Sequence, residues 1–248
     1  MNKAIGIIIA IVIIAGGIYF LVNRSANNSV VNVTGEQQEN SGAQGRLVLA
    51  VTDAAINMST ISEINMDISK VDVHSNEAGW VTVSTAPHTY NLLALNAEHK
   101  SEILAQADAF QAGSYDQIRL TVDSVTVKTK AGATSEAKLP SGELKINTAL
   151  LVNANSTSSV NLDFMADKSL HLTGSGKYIF APVVKIETRS DADVGVDYDA
   201  NKVTLSGGHV DDTSTVGMDV DGSVKENFEI KSDVKLNLDE NDGIKVTL

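Results

Sequence analysis

The sequence contains no cysteine, few aromatic residues and few basic residues. Without cysteine the chain forms no disulfide, thiolate metal site or cysteine nucleophile, and it offers no cysteine for lipid modification after a signal peptide. Aromatic residues make up 4% of the chain, too few for a platform that stacks nucleic-acid bases. The net charge is −12, from 19 Lys and Arg against 31 Asp and Glu. Because phosphates need a Lys/Arg surface, the composition predicts no nucleic-acid partner.

Val, Ile, Thr and Leu are abundant instead, and they alternate as they do in strands. Gly113–Lys128 has the two-residue period of a half-buried strand, and its phase flips after Ser124. Ile64–Val73 contains a matching flip. A one-residue shift needs a β-bulge or a strand that changes sheets, so the two stretches predict a two-layer β domain. In the first stretch the apolar face holds Ile118, Leu120, Val122, Val125 and Val127, and the polar face is assigned Tyr115, Gln117, Arg119 and Thr121.

Residues 1–22 are predicted to be a single-pass transmembrane anchor. The run Ala4–Val22 is uncharged, and nineteen helical residues span about 28 Å, close to the hydrocarbon thickness of a bilayer. A cleaved signal peptide is the alternative, but its apolar region is usually shorter and no clear A-x-A-like site follows. Lys3 precedes the run, so the positive-inside rule places the N-terminus in the cytoplasm. We therefore expect the protein at the cell membrane with its later domains extracytoplasmic.

Residues 23–45 are predicted to be a flexible polar linker. They are rich in Asn, Ser, Gln and Gly and hold too little apolar surface to order themselves. As a flexible coil, this length spans roughly 25 Å, which is enough to hold a domain away from the membrane.

Residues 46–190 are predicted to be the main domain, an all-β sandwich or barrel of many short strands with turns between them. Leu47–Val51 begins it as a strand that ends at Asp53, and Asn76–Gly79 is a turn. The spacing of apolar residues predicts one soluble helix over Ala97–Phe110. Shorter strands are expected near Leu144–Ile146, Ala149–Val152, Val160–Phe164, Leu170–Leu172 and Tyr178–Thr188.

An ordered set of short motifs in this region resembles a known family. The motifs are TDA at Thr52–Ala54, GW at Gly79-Trp80, NLLAL at Asn91–Leu95, AGSYDQIRL at Ala112–Leu120, LDF at Leu162–Phe164 and GKYIFAPVV at Gly176–Val184. In that order they resemble the domain-of-unknown-function family numbered 4382. The resemblance implies a β-sandwich of immunoglobulin-like or transthyretin-like type, and it implies no activity and no catalytic residue. The family often has Pro after the TDA triplet, where this chain has Ala55.

Residues 191–248 are predicted to form a separate, acidic, antiparallel β module. They carry fourteen Asp and Glu against five Lys, which is most of the negative charge of the chain. About five stretches alternate, each with one apolar face, and Asp242-Gly243 is a hairpin signal. Such a sheet must cover its apolar face by closing on itself, by packing on the main domain or by meeting a partner.

The acidic region also contains the only candidate metal ligands, namely Asp219, Asp221, Asp239 and Asp242. Ca²⁺ takes six to eight oxygen ligands, several of them from carboxylates, and these residues lie beside glycine turns that bring backbone carbonyls close. No run matches the EF-hand loop pattern. A solvated polar face that resists aggregation is the alternative, and we expect no other cofactor.

Two residues of the main domain are candidates for ligand contact. Trp80 follows a turn and could stack on a sugar, although such a residue more often fills the space between sheets, and we predict core. Arg119 is predicted to pair with an aspartate such as Asp53 or Asp163. Gly174–Lys177 superficially suggests a phosphate loop, but its spacing and the following Tyr178 fit a hairpin turn better.

The sequence therefore predicts a non-enzymatic, membrane-anchored, extracytoplasmic domain for surface binding or envelope architecture. Its expected partners are the membrane, through the N-terminal helix, and a cell-envelope protein or glycan. The alternative is a carbohydrate-binding protein or an enzyme with its site in the sandwich loops. A binding sandwich should expose Trp80 or Tyr115, whereas an architectural one should bury them.

Overall fold

The computed structural model describes residues 42–54, 58–98, 100–219, 222–226, 235–238 and 244–247. The first half comprises Gln44–Asp53 (β1), Ile61–Ser75 (β2), Gly79–Ser84 (β3), His88–Asn91 (β4), Leu92–Ala97 (α1), Glu102–Gln111 (β5), Gly113–Thr129 (β6), Thr134–Lys138 (β7) and Glu143–Val152 (β8). The second half comprises Thr157–Phe164 (β9), Ala166–Ser169 (α2), Leu170–Leu172 (β10), Tyr178–Phe180 (β11), Val183–Ser190 (β12), Asp193–Asp197 (β13), Lys202–Ser206 (β14), His209–Met218 (β15), Val224–Glu226 (β16), Lys235–Leu238 (β17) and Ile244–Thr247 (β18). The all-β prediction is confirmed.

Most strands belong to two sheets. The six-stranded sheet has the order β16-β15-β12-β9-β1-β5, and within it β1 and β9 run parallel. The eight-stranded sheet has the order β10-β11-β7-β6-β2-β3, with β4 also paired to β2 and β8 also paired to β6. Strand β6 therefore changes partner along its length, pairing with β8 in its first half and with β7 near its end.

One hydrophobic core draws on both sheets. Leu47 and Leu49 come from the six-stranded sheet, and Ile118, Leu120 and Ile146 come from the eight-stranded sheet; all five are fully buried. Burying such aliphatic side chains stabilises the fold by about 1.5–3 kcal/mol each, before the entropy cost of ordering the chain. Because side chains alternate between the two faces of a strand, the residues between these core residues face outward.

The two predicted phase flips are β-bulges. The register between β2 and β6 shifts between Asp67 and Ile68, where Asp123 is the extra residue of β6. It shifts again between Ile68 and Lys70, where Ser69 is the extra residue of β2. A further shift in β6 lies between Tyr115 and Gln117. This second bulge turns Tyr115 inward, where it is buried, so its assignment to the polar face was wrong.

The predicted helix over Ala97–Phe110 is also wrong, because most of this stretch is strand β5. Its alanines favour helix locally, but pairing with β1 overrides that preference. The pairing carries two register shifts, and Leu104 and Ala105 are both buried, so the strict alternation of a strand is missing from the sequence. Helix is confined here to the short α1, capped by the Asn91 side chain.

The predicted boundary after residue 190 falls inside the six-stranded sheet. Strand β12 pairs with β15 along the whole of β12, and Val216 and Met218 of β15 belong to the shared core. Strands β13 and β14 form a hairpin whose Val203 packs against Val48 and Ala50, the outward residues of β1. The first part of the acidic region is therefore built into the main domain, because its apolar residues complete that domain's sheet.

The remaining predictions concern the C-terminal strands and the N-terminal segment. Strands β17 and β18 pair as an antiparallel hairpin, as the alternation predicts. The predicted membrane anchor Ala4–Val22 and most of the predicted linker lie outside the described residues. Within the described ranges, no helix has the length and apolar character needed to cross a membrane.

Candidate binding face

The outward residues of β3, of the second half of β2, of the first half of β6 and of β8 form a continuous surface, which we call the polar face. Two cross-strand rows run over it, set by the register of the four strands. The first row is Trp80, His74, Gln117 and Asn147, and the second is Thr82, Asp72, Arg119 and Lys145. Lys70, Asp116 and Glu143 complete the surface. Alternation places these residues outward because the residues between them, such as Val73, Ile118 and Ile146, face the core.

Trp80 is the large aromatic side chain of the polar face. Gly79 precedes it with a φ of 67°, a left-handed conformation that closes the turn between β2 and β3. The side chain is 37% exposed. The Arg119 guanidinium lies 4.1 Å from the centroid of the indole, and the tilted His74 ring lies 5.1 Å away. Arg119 therefore covers one face of the indole, the His74 ring packs beside it, and the rest of the ring surface is open to solvent.

Asp72 is the buried charge that holds this arrangement. Its side chain is only 1% exposed, and its Oδ2 accepts hydrogen bonds from Nε (3.2 Å) and Nη2 (2.8 Å) of Arg119. Its Oδ1 accepts from the Thr82 hydroxyl at 2.7 Å and lies 2.9 Å from the Lys70 Nζ. Burial alone would raise the pKa of Asp72, but these hydrogen bonds outweigh it and hold the pKa below its ordinary value. Arg119 is thereby fixed in the position that contacts Trp80.

The bulge in β6 adds a second polar group beside Trp80. It leaves both Asp116 and Gln117 outside the core. Asp116 Oδ1 lies 2.6 Å from His74 Nδ1, and the Gln117 amide nitrogen donates to the Asn147 amide oxygen at 2.6 Å. The Gln117 oxygen and the Asn147 nitrogen have no hydrogen-bond partner among the described side chains, so both remain able to bind a ligand.

The polar face is concave in two places. One depression, of about 350 Å³, is lined by His74, Trp80, Asp116, Gln117 and Asn147. The other, of about 300 Å³, is lined by Gln117, Ser141, Glu143, Lys145, Asn147 and Gly222–Val224. Because Gln117 and Asn147 line both, the two depressions adjoin across the sheet.

Charges on the polar face are balanced. The cations Lys70, Arg119 and Lys145 stand against the carboxylates of Asp72, Asp116 and Glu143. Besides the contacts of Asp72, Glu143 lies 3.9 Å from Arg119 and 3.4 Å from Lys145. The face therefore presents hydrogen-bonding groups and one aromatic ring without a strong field of either sign.

The structure corrects two sequence-based assignments here. Trp80 was predicted to be core and is instead partly exposed. Arg119 does pair with an aspartate, as predicted, but the partner is Asp72 on the adjacent strand. Asp53 instead accepts from the backbone N–H of Ala166 at 3.1 Å, and Asp163 lies on β9 of the other sheet. The sequence did hold a signal for Trp80, since it alternates with Val81 and Val83, which turn toward the core.

Several residues of the candidate site were not predicted as site residues. They are Asp72, His74, Asp116, Gln117 and Asn147, which lie on three different strands. Their common position depends on strand order and register, which no local pattern in the sequence specifies.

The other sequence-based candidates are the Gly174–Lys177 turn and the proposed Ca²⁺ ligands. Gly174–Lys177 is the turn between β10 and β11, with the Gly176 N–H donating to the Thr173 carbonyl at 3.0 Å, so the hairpin prediction is confirmed. Of the proposed Ca²⁺ ligands, Asp221, Asp239 and Asp242 lie outside the described residues. The backbone N–H of Asp219 donates to the Ser223 carbonyl at 2.7 Å. The described part of the chain contains no cluster of three or more His, Asp or Glu arranged to hold a metal ion.

Comparison with known proteins identifies a family and no activity. Residues 44–182 match the family described as "Domain of unknown function (DUF4382)". No curated protein and no solved structure shows a significant match to the chain. The matched segment contains all residues of the two cross-strand rows.

Proposed function

The chain belongs to the DUF4382 family of domains of unknown function, and we propose that it is a membrane-anchored, extracytoplasmic β-sandwich that binds a cell-envelope ligand through the polar face. The proposal joins the anchor predicted at residues 1–22 to the surface that carries Trp80. An immunoglobulin-like or transthyretin-like relationship of the two sheets is part of the same proposal.

The observation that carries the binding role is the fixed, partly exposed Trp80. Tryptophan is enriched among the residues that carry most of the binding energy of an interface, because it combines a large apolar contact area with a polar N–H group. Its position is set by Arg119, which is held in turn by the buried Asp72. A side chain that is already ordered loses less conformational entropy when a ligand binds, which favours affinity.

The same geometry supports binding more than catalysis. General acid–base chemistry needs a group whose pKa lies near the working pH. The central carboxyl, Asp72, has a lowered pKa and donors on both oxygens, so it is a weak base. We therefore propose a non-enzymatic role. Of the two aromatic residues whose exposure would favour ligand binding, Trp80 is exposed and Tyr115 is buried.

The test of the binding role is capture of envelope material by the full chain. Labelled envelope fragments from cells that lack the protein are incubated with the chain in lipid nanodiscs. We expect wild type to retain fragments and Trp80→Ala to lose them. The matched control is Tyr198→Ala, which removes an aromatic side chain that is 70% exposed and lies outside the polar face. Equal retention by wild type and Trp80→Ala would contradict the proposal.

The test of the location is protease accessibility. Protease is added to intact cells, or to spheroplasts where an outer membrane shields the surface. We expect it to remove the β region while the anchor stays in the membrane. Recovery of a soluble mature chain that begins after about Gly17, where a cleaved signal peptide would end, would show that the chain is not anchored.

A further inference from the structure

We propose that the ligand of the polar face is a neutral oligosaccharide, laid across the strands from Trp80 to Asn147. This inference rests on the proposed function and names the chemical class of its ligand. It is carried by three properties of the face, which are a partly exposed aromatic ring, amide groups in line with it, and balanced charge.

The aromatic ring supplies the stacking surface. Pyranose rings present a face of C–H groups that carry small positive charge, and the face of an indole is negative. Arg119 and His74 cover part of the indole, so a sugar would stack on the ring surface that stays exposed. The contact with Arg119 also keeps the indole in one orientation, which a stacking partner needs.

The amide groups supply hydrogen bonds in the same row. Gln117 and Asn147 lie two and three strands away from Trp80. With strands about 4.8 Å apart, the row from Trp80 to Asn147 measures roughly 14 Å, the length of a short oligosaccharide rather than of one ring. Both depressions adjoin at these two amides, each of which keeps an atom able to bond a sugar hydroxyl.

Charge selects the neutral class of glycan. The three cations of the face are matched by three carboxylates, and the whole chain carries −12. An acidic polysaccharide would be repelled by the protein and would find no surplus cation to bind it. A protein partner normally buries an apolar centre within its interface, whereas Trp80 is surrounded by polar side chains.

Binding is measured with the full chain in nanodiscs, since common detergents with sugar headgroups would compete. The probes are soluble neutral glucan, mannan and xylan, with polygalacturonate as the acidic counterpart. We expect at least one neutral polysaccharide to bind. Trp80→Ala should raise its Kd at least about tenfold, as for a central tryptophan contact. Gln117→Ala and Asn147→Ala should each raise it about three- to tenfold, the loss of a neutral hydrogen bond.

Two controls separate this site from general adhesion. Tyr198→Ala should leave Kd unchanged, since Tyr198 belongs to the turn after β13. Raising the salt concentration should also leave Kd unchanged, because a neutral ligand gains nothing from unscreened charges. Melting temperatures of all variants are compared with wild type, so that loss of fold is not read as loss of binding.

The inference is overturned if none of the neutral polysaccharides binds, if polygalacturonate binds as tightly as the best of them, or if Tyr198→Ala weakens binding as much as Trp80→Ala. The proposed function can survive this failure. In that case envelope fragments would still be captured in a manner that depends on Trp80, and the ligand would belong to another chemical class.

Discussion

Asp72 decides the geometry of the polar face, because a carboxylate that is almost wholly buried must keep its donors. Arg119, Lys70 and Thr82 contact its two oxygens, and Arg119 in turn covers Trp80. A change at Asp72 therefore alters the surroundings of the Trp80 ring without touching the ring itself. Truncating one partner of such a group leaves the other charge poorly solvated, which costs more than losing an exposed ion pair.

We expect Asp72→Asn to lower the free energy of unfolding by about 1.5–3 kcal/mol at neutral pH. The folded pKa of Asp72 is lowered, so its stabilisation is present above the unfolded value of about 3.9 and is lost as the pH falls through the folded pKa. The difference between variant and wild type should therefore shrink below about pH 4. Urea melts across this range measure it. Asp108→Asn, at a carboxylate that is 77% exposed, is the control and should cost far less. A difference that persists unchanged in acid would contradict this account.

Asp163 should behave in the opposite way. Burial raises its pKa, despite a backbone hydrogen bond from Ala54 and the nearby charge of Lys185, and its Oδ1 is buried without a hydrogen-bond partner. Its stabilisation is thus present below about pH 4 and lost as the pH rises through the folded value. We expect Asp163→Asn to melt at a higher temperature than wild type near pH 7, and at about the same temperature near pH 3. Calorimetry at both pH values tests this, and a variant that melts lower at neutral pH would show that the carboxylate has a structural role.

At the scale of single elements, strand β6 is the most informative. Its inward residues fill the core, its outward residues build the polar face, and its bulges set which residues do which. A strand whose two faces have such different tasks should respond very differently to substitution on each face.

We expect Leu120→Ala to lower the free energy of unfolding by about 2–5 kcal/mol, because it leaves a cavity at a fully buried position. Thr121→Ser, one residue further on the outward face, should change it by only about 0.5 kcal/mol. Denaturant melts of the two variants measure the contrast. Similar losses at both positions would mean that the faces of β6 are assigned the wrong way round.

The elements show how far sequence reasoning reaches. The phases of β2 and β6, including their bulges, were predictable because a period of two is broken visibly by one residue. Strand β5 was not, because the alanines and the spacing of Ile103, Ala107 and Phe110 fit a helix until pairing with β1 is known. For Trp80 two signals conflict. Tryptophan usually fills a core, which predicts burial, whereas alternation with the inward Val81 and Val83 predicts exposure, and the alternation is the signal that holds. The rest of the candidate site needs strand order, which depends on contacts between distant segments.

At the scale of the whole molecule, the first part of the acidic region completes the sheet and the core of the main domain. Strand β15 lies second from the edge of the six-stranded sheet, and Val216 and Met218 are buried in the core. The sequence suggested a separate module here because the charge changes abruptly near residue 191, and composition does not reveal which strand a later segment pairs with.

We therefore expect a chain that ends after Ser190 to be severely destabilised compared with the full chain. It would expose the edge of β12 and the core surface that β15 covers, both of which favour aggregation. Thermal melting and size-exclusion chromatography of the two chains measure the effect. A truncated chain that stays monomeric and melts within a few degrees of the full chain would restore an independent boundary at residue 190.

The parallel pairing of β1 with β9 has a consequence for synthesis. Strand β1 leaves the ribosome first, yet Arg46 meets its partner Thr157 only about 110 residues later. At roughly 5–20 residues per second, one edge of β1 stays without its partner for about 5–20 s. An unpaired apolar strand is a template for wrong association during that interval. If the chain is exported, as proposed above, crossing the membrane in extended form would keep β1 and β9 apart until both have emerged on the same side. Closure of the sheet would then be delayed until after export.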